Sequence, residues 1–578
     1  MSAHYHRTQR SKSKIKFVGR RRLVLAILMG GMAMLLGRVI DLQALDGKNF
    51  LQRQGKLRHV AVVSMPAHRG RILDRNGDPL AISTPVESVW VNPQLFNVSA
   101  RDLKQLAGVL GIPPKKVRQK VEAKSGRRFV YLKRRMDPSQ AQAAKDLDLQ
   151  GLNFEYEYRR YYPAGEVISH LIGFTNVDDI GQEGLELAYD PLLKGTAGTK
   201  RVIRDGRKRI IEDIERINSP ISGDDLVLSI DQRLQYLAYR ELSATIKAHK
   251  AHAGSLVLLD AWNGEVLAMV NQPSFNPNNR VNLRAVRYRN RAITDIFEPG
   301  STIKPFVASC AIENGLFKRD SIVDTSPGFM RVGRNVVRDF RNYGLIDVAR
   351  VLQKSSNVGI TKIGLSLSSR QLWQCYNRLG FAQATGTRFP GEAIGKLSNH
   401  THWNKFEQAT LSFGYGLSVS AMQLARAYSV FANEGVMPSL SLLKRDQDGG
   451  QNRVMSKETA AIVKNMLERV VTRQGTASAA GIPGYRVGGK TGTVKKATVG
   501  GYSSTDHVAI FAGMAPISNS RLVIAVVVDK PSAGDYYGGL VAAPVFSKVM
   551  GVALRMLGIP PDKKETMPLL VLNQGETI

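Results

Sequence analysis

Ser301 and Lys304 stand three residues apart in Glu298-Pro299-Gly300-Ser301-Thr302-Ile303-Lys304-Pro305-Phe306, which puts a hydroxyl and an amine on one face of a helical turn. If burial or a neighbouring cation lowers the lysine pKa, the amine can take the hydroxyl proton and leave an activated serine nucleophile. Pro305 is tolerated only in the first turn of a helix, so the stretch predicts a helix opening with Ser301 at or beside its N-cap. Ile303, Phe306, Val307, Cys310 and Ala311 recur at helical spacing and predict a buried stripe beneath that turn. Taken alone, the pair reads most simply as a capping serine and a solvated lysine.

Two later stretches add complementary groups. Ser355-Ser356-Asn357 follows the apolar, basic run Val348–Lys354 and offers a second hydroxyl and an amide; on its own it is a cap or a turn. Gly488-Gly489-Lys490-Thr491-Gly492-Thr493 precedes a strand meander and offers a second cation and two hydroxyls; on its own it is a glycine-rich strand edge. In this order, Ser-x-x-Lys, Ser-x-Asn and Lys-Thr-Gly resemble the motif set of the penicillin-binding proteins and serine β-lactamases.

That resemblance implies acyl transfer. Ser301 is the nucleophile that forms the acyl ester, Lys304 the general base and Ser355 the relay that passes a proton to the leaving amine under the influence of Lys490. Asn357 holds Lys304 and the substrate amide. Alternation along a strand sends Lys490 and Gly492 one way and Thr491 and Thr493 the other. The two threonine hydroxyls are expected to receive a substrate carboxylate, with Lys490 adding field and Gly492 leaving room for a substrate backbone along the edge. The N–H groups of Thr493 and Ser301 are expected to form the oxyanion hole. The family implies a D-Ala-D-Ala stem peptide as acyl donor, an amine on a neighbouring peptidoglycan strand as acceptor, and β-lactams as mimics that remain on the serine.

The elements that must hold these groups follow a plan. Residues 1–22 carry Arg7, Arg10, Lys12, Lys14, Lys16, Arg20, Arg21 and Arg22 and no acid. An uncharged run, Leu23–Gly37, is interrupted by Arg38 and resumes to Leu42. No A-x-A-like cleavage site follows, so an uncleaved single-pass anchor over 23–42 is expected rather than a signal peptide, with the N-terminus cytoplasmic and the remainder periplasmic. No second apolar run of membrane length is read. Cys310 and Cys375 are the two cysteines; Cys310 falls on the apolar stripe of the Ser301 helix, and no disulfide is expected. The histidines are scattered and there is no HExxH or paired CxxC, so neither metal nor cofactor is expected.

Residues 43–225 read as a strongly charged module of strands, turns and short helices, with an Asn76-Gly77 turn and helical patterns at Arg101–Gly111, Pro113–Lys124 and Pro138–Asp148. Its Arg69-Gly70-Arg71-Ile72 and Glu183-Gly184-Leu185-Glu186 stretches resemble the non-catalytic pedestal, of dimerisation-domain type, of class B penicillin-binding proteins. From 226 to 557, strands from both ends of the segment flank helices bearing the Ser301 and Ser355 motifs, an α+β arrangement with one antiparallel sheet and a helical cluster. Residues 558–578 read as an exposed tail.

Phe413-Gly414-Tyr415-Gly416-Leu417-Ser418, Gly513-Met514-Ala515-Pro516 and Asp535-Tyr536-Tyr537-Gly538-Gly539 are similar to the division-specific, FtsI-type branch, a peptidoglycan D,D-transpeptidase of septal wall synthesis. An elongation-specific transpeptidase is the alternative within the family. A D,D-carboxypeptidase or β-lactamase-like hydrolase is the alternative in chemistry. The formal charge of +33, from 81 Lys+Arg against 48 Asp+Glu, also motivates a non-enzymatic polyanion binder. The partners implied by the resemblance are stem peptides, β-lactams, the inner membrane, a membrane glycosyltransferase and other division proteins, with nucleic acid not among them.

Overall fold

In the computed structural model, residues 18–41, 60–204, 210–281, 284–446, 450–498 and 500–563 are described. The basic positions Arg7, Arg10, Lys12, Lys14 and Lys16, and residues 564–578 of the C-terminal tail, lie outside the described residues. Val18–Ile40 (α1) is one continuous helix of 23 residues with none buried, long and apolar enough to cross a bilayer. Arg38 does not break it: the helix runs through, and the guanidinium donates to Asp41 at 2.6 Å near the end.

Strand signals and turn residues shape the segment that follows. Val60–Met65 (β1) pairs antiparallel with Gly198–Arg204, and that strand with Ile210–Asn218. Asp74 binds the N–H groups of Asn76 and Asp78 around Gly77, closing the turn between Ile72–Leu73 (β2) and the long strand Pro79–Val91 (β3). Val130–Met136 and Leu152–Tyr161 pair with β3, and the helix Ala100–Leu110 (α2) packs Leu103, Leu106 and Leu110 into this part's own apolar cluster.

The Arg-Gly and Glu-Gly-Leu-Glu stretches meet in a buried ion cluster. Glu186 accepts from Arg69 at 2.7 Å and from Arg160 at 2.6 Å, and Arg69 also reaches Asp190 at 2.7 Å. Removing one member would strand a buried charge, so the cluster fixes how these distant stretches cross.

Leu226–Val227 pairs parallel with β2, and the chain then enters the second α+β unit. Asp231 caps Gln232–Ala248 (α3) by accepting from the backbones of Arg233 and Leu234. Ala253–Asp260 (β4), Val266–Gln272 (β5), Gly488–Thr498 (β6), Gly501–Ala515 (β7) and Leu522–Asp529 (β8) form one antiparallel sheet in the order β5-β4-β8-β7-β6. One face is covered by α3 and Ala543–Met556 (α4), which bury Leu234, Leu242, Phe511 and Phe546. Gly538–Met556, a second helical stretch apolar enough to cross a membrane, is half-buried against the sheet and serves as part of the core.

The other face carries the helical cluster. Its centre is Phe306, stacked on Phe431 at 5.0 Å and edge-on to Tyr428 at 5.3 Å, with the Tyr428 hydroxyl donating to the Thr302 carbonyl at 2.8 Å. The stripe Ile303, Phe306, Val307, Cys310 and Ala311 is buried as its spacing predicts. The expectation of no disulfide is corrected: Cys310 is bonded to Cys375, with their Cα atoms 6.2 Å apart. Cys310 is indeed buried, but Ser369–Arg378 packs on the same side of the Ser301 helix and presents Cys375 to it, a tertiary pairing that no local pattern records.

Candidate active site

Ser301 lies in a 3-10 turn, Gly300–Ile303, that runs directly into the helix Lys304–Glu313, with Pro305 in that helix's first turn. The serine therefore sits just ahead of the helix rather than capping it. Gly300 has φ 52°, and a Cβ there would come within 2.5 Å of Val494 on β6, so a glycine lets the turn press against the sheet. Its N–H donates to the Gly414 carbonyl at 3.0 Å.

Lys304 is fully buried. Its amine donates to the Ser355 carbonyl at 2.6 Å and to Asn357 Oδ1 at 2.7 Å, and lies 3.2 Å from Ser355 Oγ. Burial pulls its pKa down to about 7, against a smaller upward pull from the Asp339 carboxylate. Lys490, reaching in from β6, is fully buried too; its amine contacts Ser355 Oγ at 3.0 Å and the Thr491 carbonyl at 3.2 Å. Burial, and then the charge of Lys304, push the Lys490 pKa well below that of a free lysine. The Ser301 hydroxyl makes no hydrogen bond among the described residues.

Ser355 is the C-cap of the helix Val348–Lys354 and has φ 58°, a left-handed conformation that costs a non-glycine residue about 1 kcal/mol or more. The kink turns its hydroxyl to both lysines while Ser356 caps the next helix, Asn357–Ser366, by accepting from Gly359 N–H at 2.8 Å. Sequence reasoning missed the group that holds this corner. Asp339 accepts from Ser356 Oγ at 2.5 Å, from the N–H of Asn357, and from Val358 N–H at 3.0 Å. A carboxylate on the N-terminus of that helix is favoured by its dipole. Asp339 is the sole acid between Phe329 and Ile346, a faint signal that no motif carries. The Asn357 amide also donates to the Arg338 carbonyl at 3.0 Å, so the side chain that holds Lys304 is itself held.

At Gly492 a Cβ would stand 3.0 Å from the Pro299 carbonyl and 3.1 Å from Thr302 Cγ2, so the bare position also lets this face of β6 meet the Ser301 turn. Thr491 and Thr493 face the other way as alternation predicts. Thr491 Oγ1 is 2.9 Å from Thr476 Oγ1, and Thr493 Oγ1 accepts from Gly538 N–H at 3.0 Å. Strand β6 is paired with β7 on one side and is the outer strand of its sheet, which leaves its other edge for an extended ligand.

On the rim, Glu298 Oε1 accepts from Gly416 N–H at 2.8 Å and from the Tyr502 hydroxyl at 3.0 Å, and burial raises its pKa. A separate cavity of about 860 Å³ lies between β1 and Leu152–Tyr161 and includes none of the motif residues. The chemistry, not the size of the void, locates the site.

Lys304 and Lys490, from two separated stretches, thus converge on the Ser355 hydroxyl of a third. Residues 254–551 match the penicillin binding protein transpeptidase domain, and residues 64–228 match the penicillin-binding protein dimerisation domain. The peptidoglycan D,D-transpeptidase FtsI of Escherichia coli (strain K12) is 40% identical over 583 residues, spanning 100% of this chain and 98% of that protein. The probable peptidoglycan D,D-transpeptidase PenA of Neisseria gonorrhoeae is 41% identical over 560 residues, 96% of this chain and 95% of its own length. Among solved structures, penicillin binding protein 3 from Mycobacterium tuberculosis complexed with aztreonam aligns with a TM-score of 0.68 and 27% identity, over 87% of this chain and 98% of that one. The chain therefore belongs to the penicillin-binding protein transpeptidase family.

Proposed function

We propose that this chain is a peptidoglycan D,D-transpeptidase of FtsI type, which cross-links stem peptides through an acyl ester on Ser301 and is acylated by β-lactams. The observation that carries the reading is the position of Ser355 Oγ between the amines of Lys304 and Lys490, beside the turn that bears Ser301. A neutral lysine has two N–H groups and one lone pair. The Ser355 carbonyl and Asn357 Oδ1 are pure acceptors and occupy the N–H groups of Lys304, which reserves the lone pair for a hydroxyl proton.

Ser301 Oγ attacks the carbonyl of the penultimate D-Ala, and its proton passes to Lys304. The oxyanion is received by the N–H groups of Ser301 and Thr493. Ser355 then delivers a proton to the departing terminal D-Ala amine and is replenished by Lys304, which carries the proton taken from Ser301, while Lys490 polarises that hydroxyl. Thr491 and Thr493 take the substrate carboxylate, and Gly492 keeps the Ser301 turn against the strand on which the donor lies. In the second half, an amine of a neighbouring strand attacks the ester and gives up its proton through Ser355 to Lys304, which returns it to Ser301 Oγ as the ester bond breaks.

The domain division follows: an anchor over 23–42, a pedestal over 43–225 and the transpeptidase unit over 226–557, between terminal tails. The basic flank of α1 supports a cytoplasmic N-terminus and a periplasmic site. Septal synthesis is supported by the likeness to FtsI along the full chain. A membrane glycosyltransferase that supplies new glycan is the partner this role calls for.

Intact-protein mass spectrometry after incubation with benzylpenicillin tests the reading. A persistent adduct that maps to Ser301 and vanishes in Ser301→Ala supports a transpeptidase. Rapid drug turnover with no lasting adduct would replace it with a hydrolase, and neither adduct nor turnover would overturn an enzymatic role.

A further inference from the structure

Next to the Asn357 corner, Phe329–Val332 and Asn335–Arg338 form a two-stranded ribbon. One face buries Val332 and Val337 against Ala409. The other face is open and carries Phe329, Arg331, Val336 and Arg338, with Arg334 at the turn and Phe340 and Arg341 just beyond. Phe340 is 93% exposed, an unusual cost for a phenylalanine that packs on nothing.

Charge on the ribbon is equally one-sided. Arg331, Arg334, Arg338 and Arg341 are all exposed, and none makes an ion pair among the described residues. Arg338 lies over the Phe329 ring at 5.3 Å and Arg341 over the Tyr343 ring at 5.4 Å, so the guanidinium groups are spread on aromatic faces rather than neutralised. The one acid, Asp339, has its carboxylate committed to Ser356, Asn357 and Val358. The ribbon is also fastened to the chemistry, since the Arg338 carbonyl receives the Asn357 amide at 3.0 Å.

We infer that this arginine ribbon docks the acceptor strand, gripping the free carboxylates of its stem peptides while Phe340 covers an apolar stretch beside them. The inference rests on the transpeptidase reading above and adds the side from which the second substrate arrives. With the donor assigned to the free edge of β6, the ribbon is the surface on the Ser355 and Asn357 side. An uncross-linked stem peptide ends in a carboxylate, so an acceptor strand presents repeated anions at peptide spacing to a surface that offers unpaired cations. Guanidinium suits that partner because it grips carboxylates in pairs of hydrogen bonds.

The test uses the full-length chain in detergent with a D-Ala-D-Ala donor and two acceptors: an amine-bearing peptide with a free C-terminal carboxylate, and its amidated twin. Aminolysis relative to hydrolysis of the acyl-enzyme is read for each. The wild type is expected to favour the carboxylate acceptor by about fivefold to tenfold at low salt, a preference that fades as salt is raised. R331E/R334E/R341E should abolish the preference, and R331K/R334K/R341K should keep most of it. A preference that survives charge reversal overturns the inference, as does an equal loss with both acceptors. A triple variant that changes only in binding to anionic vesicles would assign the ribbon to a membrane instead. Benzylpenicillin needs no acceptor and reports on the underlying reading separately: a wild type that forms no acyl-enzyme removes that reading, and the inference with it.

Discussion

Lys304 and Lys490 are both fully buried, and their amines meet the same oxygen, Ser355 Oγ, at 3.2 and 3.0 Å. No carboxylate lies within 4.0 Å of either amine among the described residues. Two cations so placed repel each other and have lost their hydration, so the arrangement is stable only when protons are shed. The site thereby carries its own base at neutral pH.

Acylation should accordingly depend on pH. With the Lys304 pKa drawn down to about 7, the amine is neutral above that value and charged below it, so the benzylpenicillin acylation rate should rise as pH increases through about 7 and then level off. Stability should move in the same direction. Between about 7 and the ordinary lysine value of 10.5 the unfolded chain binds more protons than the folded one, so folding gains as pH rises across that window. Lys304→Met should flatten this rise in denaturation experiments, and Lys304→Arg, which cannot shed its proton, should lose acylation.

Asp339→Asn keeps the shape of the cap and removes its charge. We expect acylation to fall by about tenfold through a looser Asn357, and stability to drop by about 1–2 kcal/mol. Asp339 also pulls the Lys304 pKa upward, so its neutralisation should shift the midpoint of the acylation curve to lower pH. A purely structural role for Asp339 would lower the rate without moving that midpoint.

The Cys310–Cys375 bond closes a loop with a sequence separation of 65. In the chain-entropy account, Cys375→Ser should cost about 4 kcal/mol, read as a lower denaturation midpoint. Thiol titration of the unfolded wild type should find no free thiol until reductant is added.

Glu186→Gln should weaken the pedestal by about 3 kcal/mol, since Arg69 and Arg160 would lose a buried counter-charge. Because Glu186 touches nothing near Ser301, the acylation rate of the folded fraction should match the wild type.

What the sequence made legible was the chemistry that local order encodes. Spacing placed Ser301 and Lys304 on one turn, and strand alternation separated Lys490 from Thr491, because both depend on backbone periodicity alone. The cap or turn at Ser355-Ser356-Asn357 was readable for the same reason. Asp339 was invisible, since its meaning comes from a helix that begins 18 residues later and folds back onto it. The cysteine pair was misread for a related cause, since whether a thiol finds a partner is decided by which surfaces meet in three dimensions.

The covalent loop has one more consequence. Between Cys310 and Cys375 it encloses the arginine ribbon, Asp339, Ser355 and Asn357, so it surrounds a segment with several exposed trypsin sites. A protease that nicks the ribbon would leave two pieces still tied to each other, with the corner around Asn357 held in place on both sides of the cut. On a denaturing gel such a molecule would run as intact protein and fall into fragments only when reduced, so integrity judged without reductant would overstate how much of a preparation is whole.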